Sequence, residues 1–202
     1  MNLLIDPLPE EVTVGGKVWP IRSSFRHGLQ FEQLTRDKDL TVEEKFFAAL
    51  DLYYPECPPD LSGAMEALLW FFRCGEAREE DGGGALAKRP QRVYDYDQDS
   101  ALIYAAFRQC YGLDLTVEDM HWWTFQALFT GLPDGCRLSA VMGYRAADTK
   151  GMSKEQKKFY TRMKKLCALK NEGNSATLSL TERNRKMLEY VDRRFKEAEK
   201  RE

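Results

Sequence analysis

Few residues in this chain have the types and spacing that chemistry needs. Asp95, Asp97 and Asp99 alternate in the string YDYDQD, as at the start of a calcium-binding loop. Such a loop requires glycine at its sixth position and a bidentate glutamate at its twelfth. Here those positions are Ser100 and Ala106, so the triplet reads as a helix entry, with carboxylates beside amide donors and the positive end of the dipole. His121 follows Glu118 and Asp119 and could act as a general base with carboxylate support. No serine or cysteine nucleophile accompanies it in a recognisable motif, so it reads as structural, and His27 has still less context. Gly82-Gly83-Gly84 lacks the order GxxxxGK of a phosphate cradle and follows no buried strand. Cys57, Cys74, Cys110, Cys136 and Cys167 are scattered, with no C-x-x-C pair, which removes zinc ribbons and thioredoxin-like redox sites. An odd number of cysteines without short spacings fits a reducing compartment. We expect no catalytic residue, no metal and no cofactor.

Two denser groups are structural on the same reasoning. Tyr104, Phe107, Tyr111, Trp122, Trp123, Phe125 and Phe129 could build a ligand cage, but at helical spacing they read as core. Lys150, Lys154, Lys157, Lys158, Arg162, Lys164 and Lys165 could contact nucleic acid. They lie opposite an apolar stripe and read as a solvated face.

The elements that position these residues are mostly helical. Val12-Thr13-Val14 and Val18-Trp19-Pro20-Ile21 flank Gly15-Gly16, which predicts a hairpin with a type I′ turn and an edge position for Pro20. A helix opens near Ser24 with Phe25, Leu29, Phe31 and Leu34 on one face. Thr41-Val42-Glu43-Glu44 is a capping box, and the helix it opens carries Phe46, Phe47, Leu50 and Tyr54 and ends at Pro55. A third helix turns Leu61, Met65, Leu68, Leu69 and Phe72 inward. Residues 98–111 are apolar nearly all round and predict a central helix, stopped by Gly112. Helices over about 117–130 and 137–147 follow, and Ser153-Lys154-Glu155-Gln156 caps another with Phe159, Tyr160, Met163, Leu166 and Cys167 as its stripe. Residues 75–92 (GEAREEDGGGALAKRPQR) read as a flexible loop. After the polar stretch 170–178, a last amphipathic helix carries Leu180, Met187, Leu188, Val191 and Phe195. The expected fold is mainly α: a helical body over 1–168 with an N-terminal β-hairpin, then a linker and C-terminal amphipathic helix over 169–202.

Composition bounds the function. The 202 residues are 43% hydrophobic and 12% aromatic with a net charge of -2: enough to bury a core, and too nearly neutral for a generic nucleic-acid binder. No apolar run is long enough to span a membrane, and the start MNLLIDPLPEEV lacks the basic and apolar regions of a signal peptide. We expect a soluble protein of the cytoplasm. Residues 151–202 hold 15 basic and 8 acidic side chains, whereas residues 1–150 hold 15 and 24. An acidic body with a basic C-terminal part points to a separate partner for the latter.

At residues 94–148 the chain resembles the bacteriophage gene-product-fifteen family of tailed phages and prophages. The residues that carry the resemblance are Tyr94-Asp95-Tyr96-Asp97, Ile103-Tyr104-Ala105-Ala106-Phe107 and Tyr111-Gly112-Leu113-Asp114-Leu115. To these add His121-Trp122-Trp123 with Phe125 and Ala127-Leu128, Gly131-Leu132-Pro133 and Met142-Gly143-Tyr144-Arg145. Leu3-Leu4-Ile5-Asp6, the Gly15-Gly16 hairpin and Glu155 to Tyr160 are also similar, so the resemblance covers about residues 1–168. Proteins of that family lie among tail genes close to the tape-measure gene. The resemblance implies a non-catalytic tail assembly chaperone in the host bacterial cytoplasm that holds the tape-measure protein, and it brings no catalytic residues, metal or cofactor with it. Helix-in-groove contact would then fall to Leu180, Met187, Leu188, Val191 and Phe195. The alternatives are a structural tail component of the virion and a nucleic-acid-binding regulator that uses the basic C-terminal half. Self-association is open in each.

Overall fold

The computed structural model describes residues 2–76 and 92–170. The stretch 77–91, which includes the three glycines, and the segment 171–202, with Leu180, Met187, Leu188, Val191 and Phe195, lie outside the described residues.

The hairpin forms as its sequence dictates. β1 (Glu11–Val14) pairs antiparallel with β2 (Lys17–Pro20), Val12 opposite Trp19 and Val14 opposite Lys17. Gly15 and Gly16 both have positive φ, 57° and 76°, the conformation a two-residue type I′ turn requires at both positions. Alternation then puts Val12 and Val14 on one face, where both are buried against the helical body. A two-stranded ribbon is marginal alone. This one is held by the side it turns to α3.

Among the described residues seven helices follow: α1 (Phe25–Arg36), α2 (Val42–Tyr53), α3 (Leu61–Phe72), α4 (Ser100–Tyr111), α5 (Trp122–Thr130), α6 (Arg137–Ala146) and α7 (Lys154–Cys167). Both predicted capping boxes are present. Thr41 Oγ1 accepts from the Glu44 amide while the Glu44 carboxylate accepts from the Thr41 amide, and Ser153 and Gln156 repeat the exchange at α7. Gly112, at φ 72°, stops α4.

α1 and α5 begin side by side. The Phe25 amide donates to the Met120 carbonyl (2.8 Å) and the Trp122 amide to the Ser23 carbonyl (2.7 Å), a single antiparallel bridge that joins the two N-caps, Ser24 and His121. Arg26 reaches across to Asp119 Oδ1 (2.9 Å) and to the carbonyls of Leu115 and Glu118. This bridge explains why α5 starts at Trp122 and not near 117: the backbone at 120–122 is committed to pairing. Glu118 and Asp119 therefore lie in the connection and not on the helix.

The core is aromatic. Phe125 is fully buried and stacks nearly parallel on Phe25, Phe107, Trp122 and Phe129, with ring centroids 5.0–6.0 Å apart. Phe72 continues the stack on Trp122, and Phe31 meets Phe72 and Tyr53 edge-on. Two expectations change. Leu61, expected inward, is exposed, while Phe71, a turn below Ala67 and Leu68, is fully buried; on α2, Phe47 is 52% exposed. α4 is not enclosed: it buries Ile103, Ala106 and Phe107 and leaves Ala101 and Ala105 to solvent. Alanines are apolar to a hydropathy count yet cost little in water, so the count overstated the buried face.

Gly28 in α1 is buried under the Trp122 ring. A Cβ there would fall 2.2 Å from Trp122 Cε3, and the indole has no room to retreat. Gly28→Ala should lower stability by about 1–3 kcal/mol, the usual cost of overpacking. Gly143→Ala in α6, where an added Cβ meets nothing within 4 Å, should stabilise by up to about 1 kcal/mol through helix propensity. Chemical denaturation of the two variants checks both signs.

Candidate interaction surface

His121 and the aspartates singled out for chemistry are engaged in holding the fold. His121 caps α5: its Nδ1 accepts from the Trp123 amide (3.1 Å), and its Nε2 donates to the Pro9 carbonyl (2.9 Å). Both ring nitrogens are used and the imidazole is neutral. Burial lowers its pKa below the ordinary histidine value, against smaller opposing effects from the Pro9 carbonyl and Glu10. His27 is lowered too, first by burial and then by Arg22.

The next two residues cap a different helix. Trp122 Nε1 donates to the Phe72 carbonyl (2.8 Å) and Trp123 Nε1 to the Phe71 carbonyl (2.7 Å). These are carbonyls of the last turn of α3, which its own backbone leaves short of donors. Cys74, at φ 57°, and Gly75, at φ 80°, turn the chain away, and their amides close on the carbonyls of Phe71 and Trp70. Each of His121, Trp122 and Trp123 thus terminates a helix, and both indoles are buried as expected of core residues.

The aspartate triplet is divided in role. Asp95 Oδ1 accepts from the amides of Asp97 and Gln98, the helix-entry function expected of it, and its other oxygen meets Arg36 at 3.3 Å and pairs with Arg92. Asp97 is hydrogen-bonded by Gln33. Asp99, the N-cap of α4, makes no side-chain cap. Its carboxylate instead takes Arg145 of α6 in a bidentate pair (2.5 and 2.9 Å), with both side chains buried. Arg145 further donates to the carbonyls of Val93 (2.9 Å) and Cys167 (2.5 Å), which ties α4, α6 and the end of α7 together. Beyond Cys167 the chain leaves along Gln98, whose side-chain amide exchanges two hydrogen bonds with the Lys170 backbone. The pair Asp99–Arg145 was missed in the sequence. Its only signal was two charged residues in apolar surroundings, 46 positions apart.

A family model described as Bacteriophage Gp15 protein matches residues 4–169. The chain belongs to the bacteriophage Gp15 family. A search of curated proteins and a search of solved structures each found no match. Within this Gp15-family chain, Arg145 of MGYR, one of the strings that carried the resemblance, meets Asp99, which lies two residues beyond another, YDYD.

With those residues committed to structure, the surface remains. α7 is amphipathic yet buries no residue. It rests on α6 through Tyr144, which meets Phe159 and Tyr160 edge-on at 6.1 and 6.2 Å. Tyr160, Met163 and Cys167 are half covered, whereas Phe159 is 50% and Leu166 67% exposed. At 100° per residue Phe159 and Leu166 share one side, and Arg162, Lys158 and Lys165 follow round the adjoining flank. No metal-binding cluster occurs among the described residues, and none of their helices is long and apolar enough to cross a membrane.

Asp99→Asn should destabilise strongly, by about 3–5 kcal/mol, because it strands a buried guanidinium. A pH dependence follows from the histidines. Their folded pKa values lie below the unfolded ones, so unfolding takes up protons as pH falls. Stability is full above the ordinary histidine value of about 6.5 and declines from there towards pH 5. His121→Asn keeps a cap acceptor without the titration. Thermal melts over this range should show a shallower slope for the variant, and equal slopes would refute the assignment.

Proposed function

We propose that this chain works without catalysis in phage tail morphogenesis, as an assembly chaperone that binds the tape-measure protein in the host cytoplasm. The observation that carries the reading is α7, a capped helix whose apolar side its own body leaves half open. The family assignment supports it, and so does the commitment of His121, Asp95 and Asp99 to helix ends and ion pairs. A long helical client offers amphipathic faces of its own, and helix-against-helix contact through anchors spaced three, four and seven apart suits such a client. Phe159, Met163 and Leu166 have that spacing. The stripe Leu180, Met187, Leu188, Val191 and Phe195 extends the same offer along the sequence.

A second reading has a specific ground. Lys154, Lys157, Lys158, Arg162 and Lys165 are exposed on α7, as a phosphate-contacting face would be. It predicts binding to nucleic acid that falls steeply with salt.

The test is co-expression with the tape-measure protein encoded nearby. The client should become soluble and co-purify, and deletion of residues 175–202 together with Phe159→Asp should abolish the complex while the body stays folded. A client that aggregates regardless would sink the chaperone reading. Salt-sensitive DNA or RNA binding in its place would favour the second.

A further inference from the structure

The half-open flank of α7 has a counterpart on the opposite kind of ground elsewhere in the same chain. On α2, Phe47 is 52% exposed, with Glu43 one turn before it and Asp51 one turn after, an acid–aromatic–acid row at i, i+4 spacing. Phe46 braces the Phe47 ring edge-on at 5.5 Å, so the exposed aromatic is held in place. Asp37 and Asp39 lie in the connection just before the helix. On α7, Phe159 and Leu166 are bordered by Arg162, Lys158 and Lys165, with Glu155 the one acid on the helix. α2 packs on α1 and α3, and α7 packs on α6; in each case the outer flank is left to solvent.

We propose that α7 of one copy of this chain docks on the outer flank of α2 of a second copy, aromatic against apolar and basic against acidic. The argument for a second copy, as opposed to any amphipathic helix, is charge complementarity within the chain itself. Residues 1–150 carry an excess of nine acidic side chains and residues 151–202 an excess of seven basic ones; Glu43 and Asp51 flank the exposed Phe47, and Lys158, Arg162 and Lys165 flank the side of α7 that carries Phe159. Opposite potentials bring the faces together and fix their orientation, while the apolar centre supplies the affinity. Because the two faces differ, the contact is heterologous: a pair of copies keeps one unused face of each kind, and association continues until a ring closes or a filament grows. The contact shares the α7 face with the client reading but does not rest on it, since it needs this chain alone.

Sedimentation velocity on the isolated full chain reads the outcome. The average mass should rise with concentration and fall as salt is added. Phe47→Arg and Phe159→Arg each replace a half-exposed side chain, so circular dichroism should show both folded. Each variant alone should associate at least about tenfold more weakly, as loss of a central aromatic anchor does. Mixed, they should form a one-to-one dimer and nothing larger, because the intact α7 of the first fits the intact α2 of the second. A wild-type monomer at every concentration would overturn the proposal. So would association untouched by either variant, or a mixture that yields no dimer.

Discussion

Helix α3 ends inside the core, and a helix end leaves carbonyls that its own backbone cannot satisfy. Left without donors, each would cost about 1–3 kcal/mol. Two indoles meet that demand: Trp122 supplies a donor to Phe72, and Trp123 adds a second donor to Phe71, whose carbonyl also takes the Cys74 amide. Neighbouring positions at the start of a helix diverge by about 100°, so adjacent tryptophans can address adjacent carbonyls only if α5 begins against the end of α3. Much else follows from that placement. The Trp122 ring must lie flat over α1, which leaves no room for a side chain at Gly28, and its stacking on Phe125 sets the planes of the rings around it. His121, immediately before, is left to cap α5 itself.

The sequence made some of this legible and hid the rest, for physical reasons. Local signals survived intact: Gly15-Gly16, both capping boxes and Gly112 act through the backbone within a few residues, so their chemistry can be read in isolation. The core assignment of Trp122 and Trp123 was legible from size and spacing. What those residues bond to was not, because the carbonyls of α3 are about 50 positions away and nothing in the chemistry of phenylalanine marks them. Gly28 carried no signal, since its importance lies in the ring above it. Leu61 looked inward by periodicity, but it opens α3 and its side chain stays outside. The site expected at Leu180 to Phe195 lies outside the described residues, so the surface now in view is the α7 stripe, recognised from the sequence only as an amphipathic helix.

Charge is organised on two levels. Inside, Asp99 and Arg145 are closely matched: two oxygens face two nitrogens, and two further donors of Arg145 reach carbonyls. A buried pair of this kind adds little net stability over an apolar replacement, but it tolerates very few alternative arrangements. It thus fixes the register of α4, α6 and the end of α7. Outside, the charges are exposed and segregated by sign. Such charges contribute little to folding, and their separation matters for what the surface can meet.

The junction between α3 and α5 also gives the molecule its own optical reporter. Of the four tryptophans, Trp122 and Trp123 are buried with hydrogen-bonded indoles, and Trp70 lies edge-on to Trp123 at 5.6 Å. An indole shielded from water emits at shorter wavelength than a hydrated one, and rings held in fixed mutual orientation give near-ultraviolet circular dichroism that disappears when packing loosens before the helices melt. Light emitted and absorbed by these rings therefore reports on the contact that the fold depends on, with no label attached.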